Sequence, residues 1–349
     1  MKKSYEIDMC HGPLLGKILL FSVPLMLSGI LQLLFNAADI IVVGRFAGSG
    51  ALAAVGSTSS LINLLINLFV GLSVGVNVLV SKYYGAGKEK DISETVHTAV
   101  LTSILSGLIL VAVGLMAAKP LLHMMGTPDD VLDQSVLYMR IYFLGMPVLM
   151  IYNFGAAILR AIGDTRRPLY FLFAAGIVNV ILNLFFVLGM GMGVDGVGWA
   201  TVLSEHVSAF LVLRTLMKTE GPLRLHLRQL RIVPGKLKRI VKIGLPAGMQ
   251  GAVFSISNVV IQSSVNSFGS IAMAGNTASS NIEGFIYTAM NAVYQTNLSF
   301  TSQNLGGGKY KRIDQIMYQC LGVVTVVGLS LVGCVAQEIA SENGSRILG

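Results

Sequence analysis

Long apolar runs separated by short charged clusters are the feature that most restricts how this chain can fold. Residues 18–43, 61–80 and 99–118 each contain at most one charged residue, and a helix of about 20 apolar residues spans the hydrocarbon core of a bilayer. Charged residues make up 12% of the 349 residues, against about 25% in a soluble domain. We therefore predict an all-α, polytopic membrane protein.

The apolar runs predict about nine membrane spans. The predicted spans are 16–43, 53–81, 95–118, 134–160, 168–190, 196–217, 237–267, 274–304 and 315–337.

Lysine and arginine concentrate in alternate loops, which predicts the orientation of the chain. The poor set of loops holds only Arg45, Lys119 and Arg346. Loops rich in Lys and Arg face the cytoplasm, so we expect a cytoplasmic N-terminus. The net charge of +8 does not indicate nucleic-acid binding, because the basic residues lie in short loops between apolar helices. The rich set holds Lys2, Lys3, Lys17, Lys82, Lys88, Lys90, Arg160, Arg166, Arg167, the segment 214–242, Lys309, Lys311 and Arg312.

The chain contains an internal repeat. The segment 81–88 recurs 221 positions later as 302–309, and Pro24 and Asn36 pair with Pro246 and Asn258 at a spacing of 222. Both glycine-rich loops fall on the predicted cytoplasmic side, so the repeat is parallel, with six spans per lobe. Such halves are typical of transporters that rock one half against the other.

The repeat predicts a domain division. Residues 1–217 form an N-lobe of six transmembrane helices, 218–236 a basic cytoplasmic linker, and 237–349 a partial C-lobe of three. Because the second copy stops at half the length of the first, we expect a C-terminally truncated chain that lacks three helices.

Three carboxylates, Asp39, Glu205 and Glu283, fall well inside predicted spans. An ionisable group in the bilayer is costly and usually marks an ion or substrate pathway. Asp39 shares a helical face with Gln32 and Asn36 at i, i+4 and i+7 spacing. For Glu205, which neighbours His206, a structural contact is as good an explanation as a functional one.

Further polar residues extend this stripe. Asn179 and Asn183 form an i, i+4 pair in the fifth span, and Thr201 follows in the sixth. Carboxylate, amide and hydroxyl oxygens are suited to Na⁺, whereas a carboxylate in an apolar pocket can instead carry a proton. The cation-coupling residues that we predict are Asp39, Asn36, Asn179, Asn183, Thr201 and Glu283; if the ion is Na⁺, its predicted ligands are Asp39, Asn179 and Asn183.

The second half carries a matching pattern. Ser280, Glu283 and Tyr287 share one helical face, and Ser255, Asn258 and Gln262 share another. We predict a substrate cavity lined by Gln32, Asn153, Gln250, Asn258 and Tyr287.

The sequence contains no recognisable enzyme motif. The segment 85–88 lacks the spacing and the Ser or Thr of a phosphate-binding loop, and its glycines are better explained as a helix end. The five histidines are scattered, and Cys10, Cys320 and Cys334 show no metal spacing. We therefore expect a protein that is not an enzyme and has no cofactor.

Several motifs together resemble those of the multidrug and toxic compound extrusion (MATE) transporters, in the bacterial branch that includes NorM-like and DinF-like proteins. The resemblance runs along the whole chain. It is carried by Pro24 and Asp39 and by the segments 43–45, 51–56, 83–87, 159–168 and 303–309.

The resemblance implies twelve helices in two lobes around a central cavity. It implies a monomer in the bacterial inner membrane that exports small cationic amphipathic molecules in exchange for H⁺ or Na⁺. It matches Asp39, Asn179 and Thr201 to polar positions of an N-lobe cation site. Asn183 departs from the pattern, since several relatives carry Asp there.

Two alternatives stay open. One is a flippase of lipid-linked sugars from the same superfamily, which the mostly acidic intramembrane charges disfavour. The other is a non-functional truncated fragment.

Overall fold

The computed structural model describes residues 5–266 and 270–347, except for some side chains near residues 49, 259–282 and 331–347. Within this part of the chain there are ten α-helices and no strand. They are α1 (Leu14–Val42), α2 (Gly48–Gly85), α3 (Glu89–Met124), α4 (Asp129–Leu144), α5 (Met146–Ala161), α6 (Arg166–Asn183), α7 (Val194–Lys218), α8 (Pro234–Asn266), α9 (Ser270–Gly306) and α10 (Tyr310–Ile347). We call α1–α7 the first half and α8–α10 the second half.

Seven of the described helices are long and apolar enough to cross a membrane, or eight if α4 and α5 together count as one span. The predicted span 134–160 is divided between α4 and α5, which meet at an angle of 47°. Pro147 lies in the first turn of α5, where its missing N–H is tolerated but would interrupt a continuous helix. The predicted span 274–304 falls in α9, where many side chains lie outside the described residues, and the count of nine stays a prediction.

The glycine-rich loops end helices, as predicted. Gly87 has a φ of +65°, and Lys88 N–H donates to the carbonyl oxygen of Tyr83 at 3.0 Å. Gly308 has a φ of +69°, and Lys309 N–H donates to Asn304 at 2.9 Å. This is the glycine C-cap geometry that reverses the chain after a helix, and it occurs twice, 221 residues apart.

These two turns lie together at one end of the helix bundle, which we call the basic end. A Cβ atom on Gly85 would overlap the carbonyl oxygen of Gln303, and a Cβ atom on Gly306 would overlap that of Lys82. The contact is reciprocal, because Gly85 and Gly306, like Lys82 and Gln303, are 221 residues apart. The C-terminal ends of α2 and α9 therefore meet through glycine.

Helices α2 and α8 join the two halves along their length. A Cβ atom on Gly71 would overlap the backbone of Gly248, and one on Gly75 would overlap the carbonyl oxygen of Ile240. Backbone cannot yield as a side chain can, so this close approach requires glycine.

Residues 219–233 connect the halves and pack against α3. His226 N–H donates to His97 Nε2 at 3.1 Å, and Val233 N–H donates to Thr98 Oγ1 at 3.1 Å. Helix α8 begins at Pro234, inside the predicted linker 218–236. The division into an N-lobe, a linker and a C-lobe stays a prediction.

Candidate functional site

Helices α1 and α6 approach closely where the polar stripe was predicted. A Cβ atom on Gly176 would overlap the ring of Phe35, so this glycine leaves room for the ring against α6. Asp39 follows Phe35 by one turn on α1, and Asn179 and Asn183 follow Gly176 by one and two turns on α6. The packing of one ring on one glycine therefore sets Asp39 beside the two asparagines.

Four predicted residues form a continuous hydrogen-bonded cluster, which we call the Asp39 cluster. Asn183 Nδ2 donates to Asp39 Oδ1 at 2.6 Å and lies 3.2 Å from Asn179 Oδ1. Asn179 Nδ2 in turn lies 3.5 Å from Thr201 Oγ1 on α7. The cluster thus joins α1, α6 and α7.

One atom of the Asp39 cluster is unsatisfied. Among the described residues, the buried Oδ1 of Asn183 has no hydrogen-bond partner. Leaving a buried acceptor without a donor costs about 1–3 kcal/mol. A cation would satisfy this oxygen, and a proton on Asp39 would do so after rotation of the Asn183 amide.

The helices change form beside the cluster. A π-helical segment, Val43–Ala47, follows α1 four residues after Asp39, and another, Leu184–Gly189, begins directly after Asn183. Such segments are rare and occur frequently at functional sites. Wider helical turns therefore begin beside the Asp39 cluster on both helices.

Among the described contacts, the other predicted residues of the first half form no hydrogen bond with this cluster. Gln32 and Asn36 are exposed on α1. Asn153 Nδ2 donates to the carbonyl oxygen of Leu149 in its own helix at 2.9 Å. The structure therefore gathers only Asp39 from the predicted α1 stripe.

The predicted residues of the second half that the structure describes also form no hydrogen bond with this cluster. Glu283, Asn258 and Gln250 are exposed on α8 and α9. The ring of Tyr287 stacks on that of Phe254, with centroids 5.7 Å apart and planes inclined by 14°. Ser280 and Gln262 lie outside the described side chains.

Glu205 occupies a second position in the first half. Its Oε2 lies 3.3 Å from where a Cβ atom of Gly145 would stand, at the junction of α4 and α5. Tyr138 and Tyr142 lie one turn apart on α4, with ring centroids 6.0 Å apart. Nothing in the sequence singled out these tyrosines, although their i, i+4 spacing places them on one face of α4.

Comparison with known proteins agrees with this fold. The MatE family profile matches residues 24–194 and 246–341. The probable multidrug resistance protein YoeA of Bacillus subtilis is 30% identical over 317 residues, which are 88% of this chain and 68% of that protein. An FAD transporter of Shewanella oneidensis is 26% identical over 325 residues, covering 90% of this chain and 72% of its own length.

Among solved structures, the outward-facing conformation of a multidrug resistance MATE family transporter of the MOP superfamily has the same fold. Its TM-score is 0.90 at 23% identity, over 98% of this chain and 76% of that one. These similarities define the class as a multi-pass membrane transporter. The chain belongs to the MATE family, whose members are transporters rather than enzymes.

Proposed function

We propose that the protein exports cationic amphipathic compounds in exchange for a cation that binds at the Asp39 cluster. The observation that supports this most directly is the buried Asn183 amide, whose Nδ2 donates to the Asp39 carboxylate while its Oδ1 has no partner among the described residues. An intramembrane carboxylate among amide and hydroxyl oxygens has the chemistry of an ion pathway.

The Asn183 amide offers a different group to each state of Asp39. Its Nδ2 donates to the carboxylate as the structure stands. When a cation or a proton reaches Asp39, rotation of the amide would present Oδ1 instead, as a ligand to the cation or as an acceptor from the protonated carboxyl. Binding at Asp39 would then change the hydrogen bonds between α1 and α6, which is the differential interaction that coupling needs.

The residues present fit Na⁺. Asp39, Asn179 Oδ1, Asn183 Oδ1 and Thr201 Oγ1 are hard oxygen ligands on three helices. A proton would bind the Asp39 carboxylate and would need only one hydrogen-bond acceptor beside it. Experiment distinguishes Na⁺ from the proton.

Ion-dependent stability of the purified protein tests this site without transport. We expect either NaCl, against choline chloride at equal ionic strength, or lower pH to raise the unfolding temperature. One ion at ten times its Kd adds about 1.4 kcal/mol. Asp39→Asn should remove the response. A response to Na⁺ selects sodium and a response to pH alone selects the proton. If the wild type and Asp39→Asn had the same unfolding temperature under all of these conditions, the proposed site would be contradicted.

Asn183→Asp provides a second prediction. It places a second carboxylate against the first, so the pair should share a proton or hold Na⁺. We expect the affinity for Na⁺ to rise about tenfold, measured as the NaCl concentration at half-maximal stabilisation. Asn183→Leu, which is similar in volume, should abolish the response, and an unchanged affinity in Asn183→Asp would rule out Asn183 as a ligand.

The proposed orientation places the basic end in the cytoplasm of a bacterial cell, as the positive-inside rule predicts. We expect membrane-impermeant reagents to label single cysteines at Lys88 and Lys311 only after the cells are opened. A cysteine at Arg45 should label in intact cells. Labelling of the Lys88 and Lys311 positions from opposite sides would contradict a parallel repeat.

The proposed substrate class rests on charge and aromatic surface. Exposed Glu283 lies one turn from Tyr287, whose ring stacks on Phe254. Cations are attracted both to carboxylates and to the faces of aromatic rings. Lipophilic cationic dyes are therefore the first substrates to test. Efflux of anionic flavins without efflux of cations would instead place this chain functionally beside its FAD-transporter relative.

A further inference from the structure

The chain before α1 lies across the basic end and contacts both halves. We call residues 5–13 the N-terminal clasp. On the first half, a Cβ atom on Gly163, in the α5–α6 turn, would overlap the backbone of Ile7. Tyr84 OH donates to a carboxylate oxygen of Glu6 at 3.2 Å. The clasp is therefore seated on the ends of α2 and α5.

Polar side chains of the second half hold the backbone of the clasp. The carbonyl oxygen of Met9 accepts from Asn304 Nδ2 at 3.0 Å, and that of Cys10 accepts from Lys309 Nζ at 3.0 Å. Both donors lie at the α9–α10 turn. Because they bind main-chain oxygens, the contact depends little on side chains of the clasp itself.

Arg312 makes the most extensive contact with the clasp. Its Nη2 donates to the carbonyl oxygens of Gly12 at 2.8 Å and His11 at 3.2 Å, and its Nε donates to that of Met9 at 3.4 Å. A guanidinium can satisfy several acceptors at once in a fixed geometry. Hydrogen bonds from a charged donor are also stronger than neutral ones.

An apolar anchor supports these polar contacts. Met9 is fully buried, in a cluster with Ile18 and Phe21 of α1 and with Phe300 and Ile316 of the second half. Removing Met9 from this cluster would expose apolar surface on both halves.

The clasp is also held by the first turn of α1, which follows it. Lys17 Nζ donates to the carbonyl oxygens of Asp8 at 2.6 Å and His11 at 2.7 Å. Partial burial alone would raise the pKa of Asp8, but hydrogen bonds from Cys10 N–H and His11 bring that pKa below its usual value. Asp8 therefore stays ionised and keeps the turn before α1 in place.

We propose that the N-terminal clasp is a latch that holds the basic end shut and must release Arg312 before the two halves separate there. The clasp crosses directly from the α2 and α5 ends to the α9–α10 turn, beside the glycine contact between α2 and α9. Opening of the basic end is part of the proposed export cycle, so the latch rests on the proposed function; its contacts are testable without transport.

The first test measures the separation of the halves. Spin labels at Glu89→Cys and Tyr310→Cys, positions 221 residues apart, are introduced after Cys10, Cys320 and Cys334 are replaced by Ser. We expect Arg312→Ala to raise the population with a long label distance about tenfold, and Arg312→Lys to give a smaller rise. Lys311→Ala, which removes a neighbouring exposed cation, should leave the distances unchanged. Identical distributions for Arg312→Ala and Lys311→Ala would overturn the latch.

The second test locks the clasp covalently and applies even if Arg312→Ala fails to fold. A Cβ atom on Gly307 would lie 3.6 Å from Cys10 Sγ, within reach of a disulfide. In the Gly307→Cys protein, oxidation should join Cys10 to the introduced cysteine. We expect this disulfide to lower the rate of dye efflux at least tenfold, and chemical reduction to restore that rate. Complete disulfide formation with undiminished efflux would overturn the latch. Absence of efflux in the reduced protein would count against the proposed function instead, while the label distances still decide the latch.

Discussion

Asp39→Asn will abolish ion-driven efflux while the protein still inserts and accumulates in the membrane. The substitution keeps the size of the side chain and its capacity for hydrogen bonds, but it removes the charge. A neutral amide costs less than a carboxylate in the bilayer, so insertion should not suffer. We expect dye efflux under an imposed proton or sodium gradient to fall at least tenfold, to the level of cells that lack the protein.

Two other carboxylate-to-amide variants serve as comparisons for the efflux of Asp39→Asn. Glu283→Gln should weaken efflux, because it removes the exposed carboxylate of the second half. Glu205→Gln should matter least, because Glu205 lies at the α4–α5 junction and not in the Asp39 cluster. If Asp39→Asn transports at the wild-type rate with the same ion dependence, Asp39 is a packing residue and the coupling site lies elsewhere.

Gly71→Val will prevent α2 and α8 from packing. Its Cβ atom would overlap the backbone of Gly248, and overpacking commonly costs about 1–3 kcal/mol, with more expected where backbone must move. Gly56→Val is the matched control on the same helix, since a Cβ atom there meets nothing within 4 Å. We expect Gly71→Val to unfold many degrees earlier in detergent and to elute as aggregate, whereas Gly56→Val behaves as the wild type. Similar melting of the two variants would mean that the α2–α8 contact adds little stability.

The helices could be predicted because each depends mostly on its own residues. Apolar runs of about 20 residues predict spans whatever their neighbours do, and the turns at Gly87 and Gly308 follow from local glycine geometry. The division of the fourth predicted span into α4 and α5 was missed. Its signal, Pro147 inside an apolar run, does not by itself separate a kinked helix from two helices.

The candidate site could be predicted in part. Asp39 and the pair Asn179 and Asn183 are polar residues at helical spacing in apolar surroundings, so they stand out. Asn36 has the same spacing, yet it is exposed, because the face that α1 turns to α6 is set by the packing of Phe35 on Gly176. That contact joins residues far apart in sequence, and no periodicity within one helix reveals it.

The clasp could not be predicted from its own sequence. The segment 5–13 is short and has no periodicity, and most of its contacts use main-chain oxygens, which every residue possesses. The informative residues are Asn304, Lys309 and Arg312, some 300 positions away. The charges of Lys309 and Arg312 were assigned to membrane orientation, a role that a loop cation can hold together with a specific contact.

The reciprocal contact of Gly85 and Gly306 has a consequence for how such a chain can arise. Each glycine meets the other copy of the repeated sequence and not its own. A two-fold symmetric dimer of one ancestral copy would already contain this contact. The same glycine position in each subunit would meet the other subunit, so the contact would occur twice. Gene duplication and fusion would then preserve a working interface from the first generation, and afterwards free the two sides to diverge, as Lys82 and Gln303 have done.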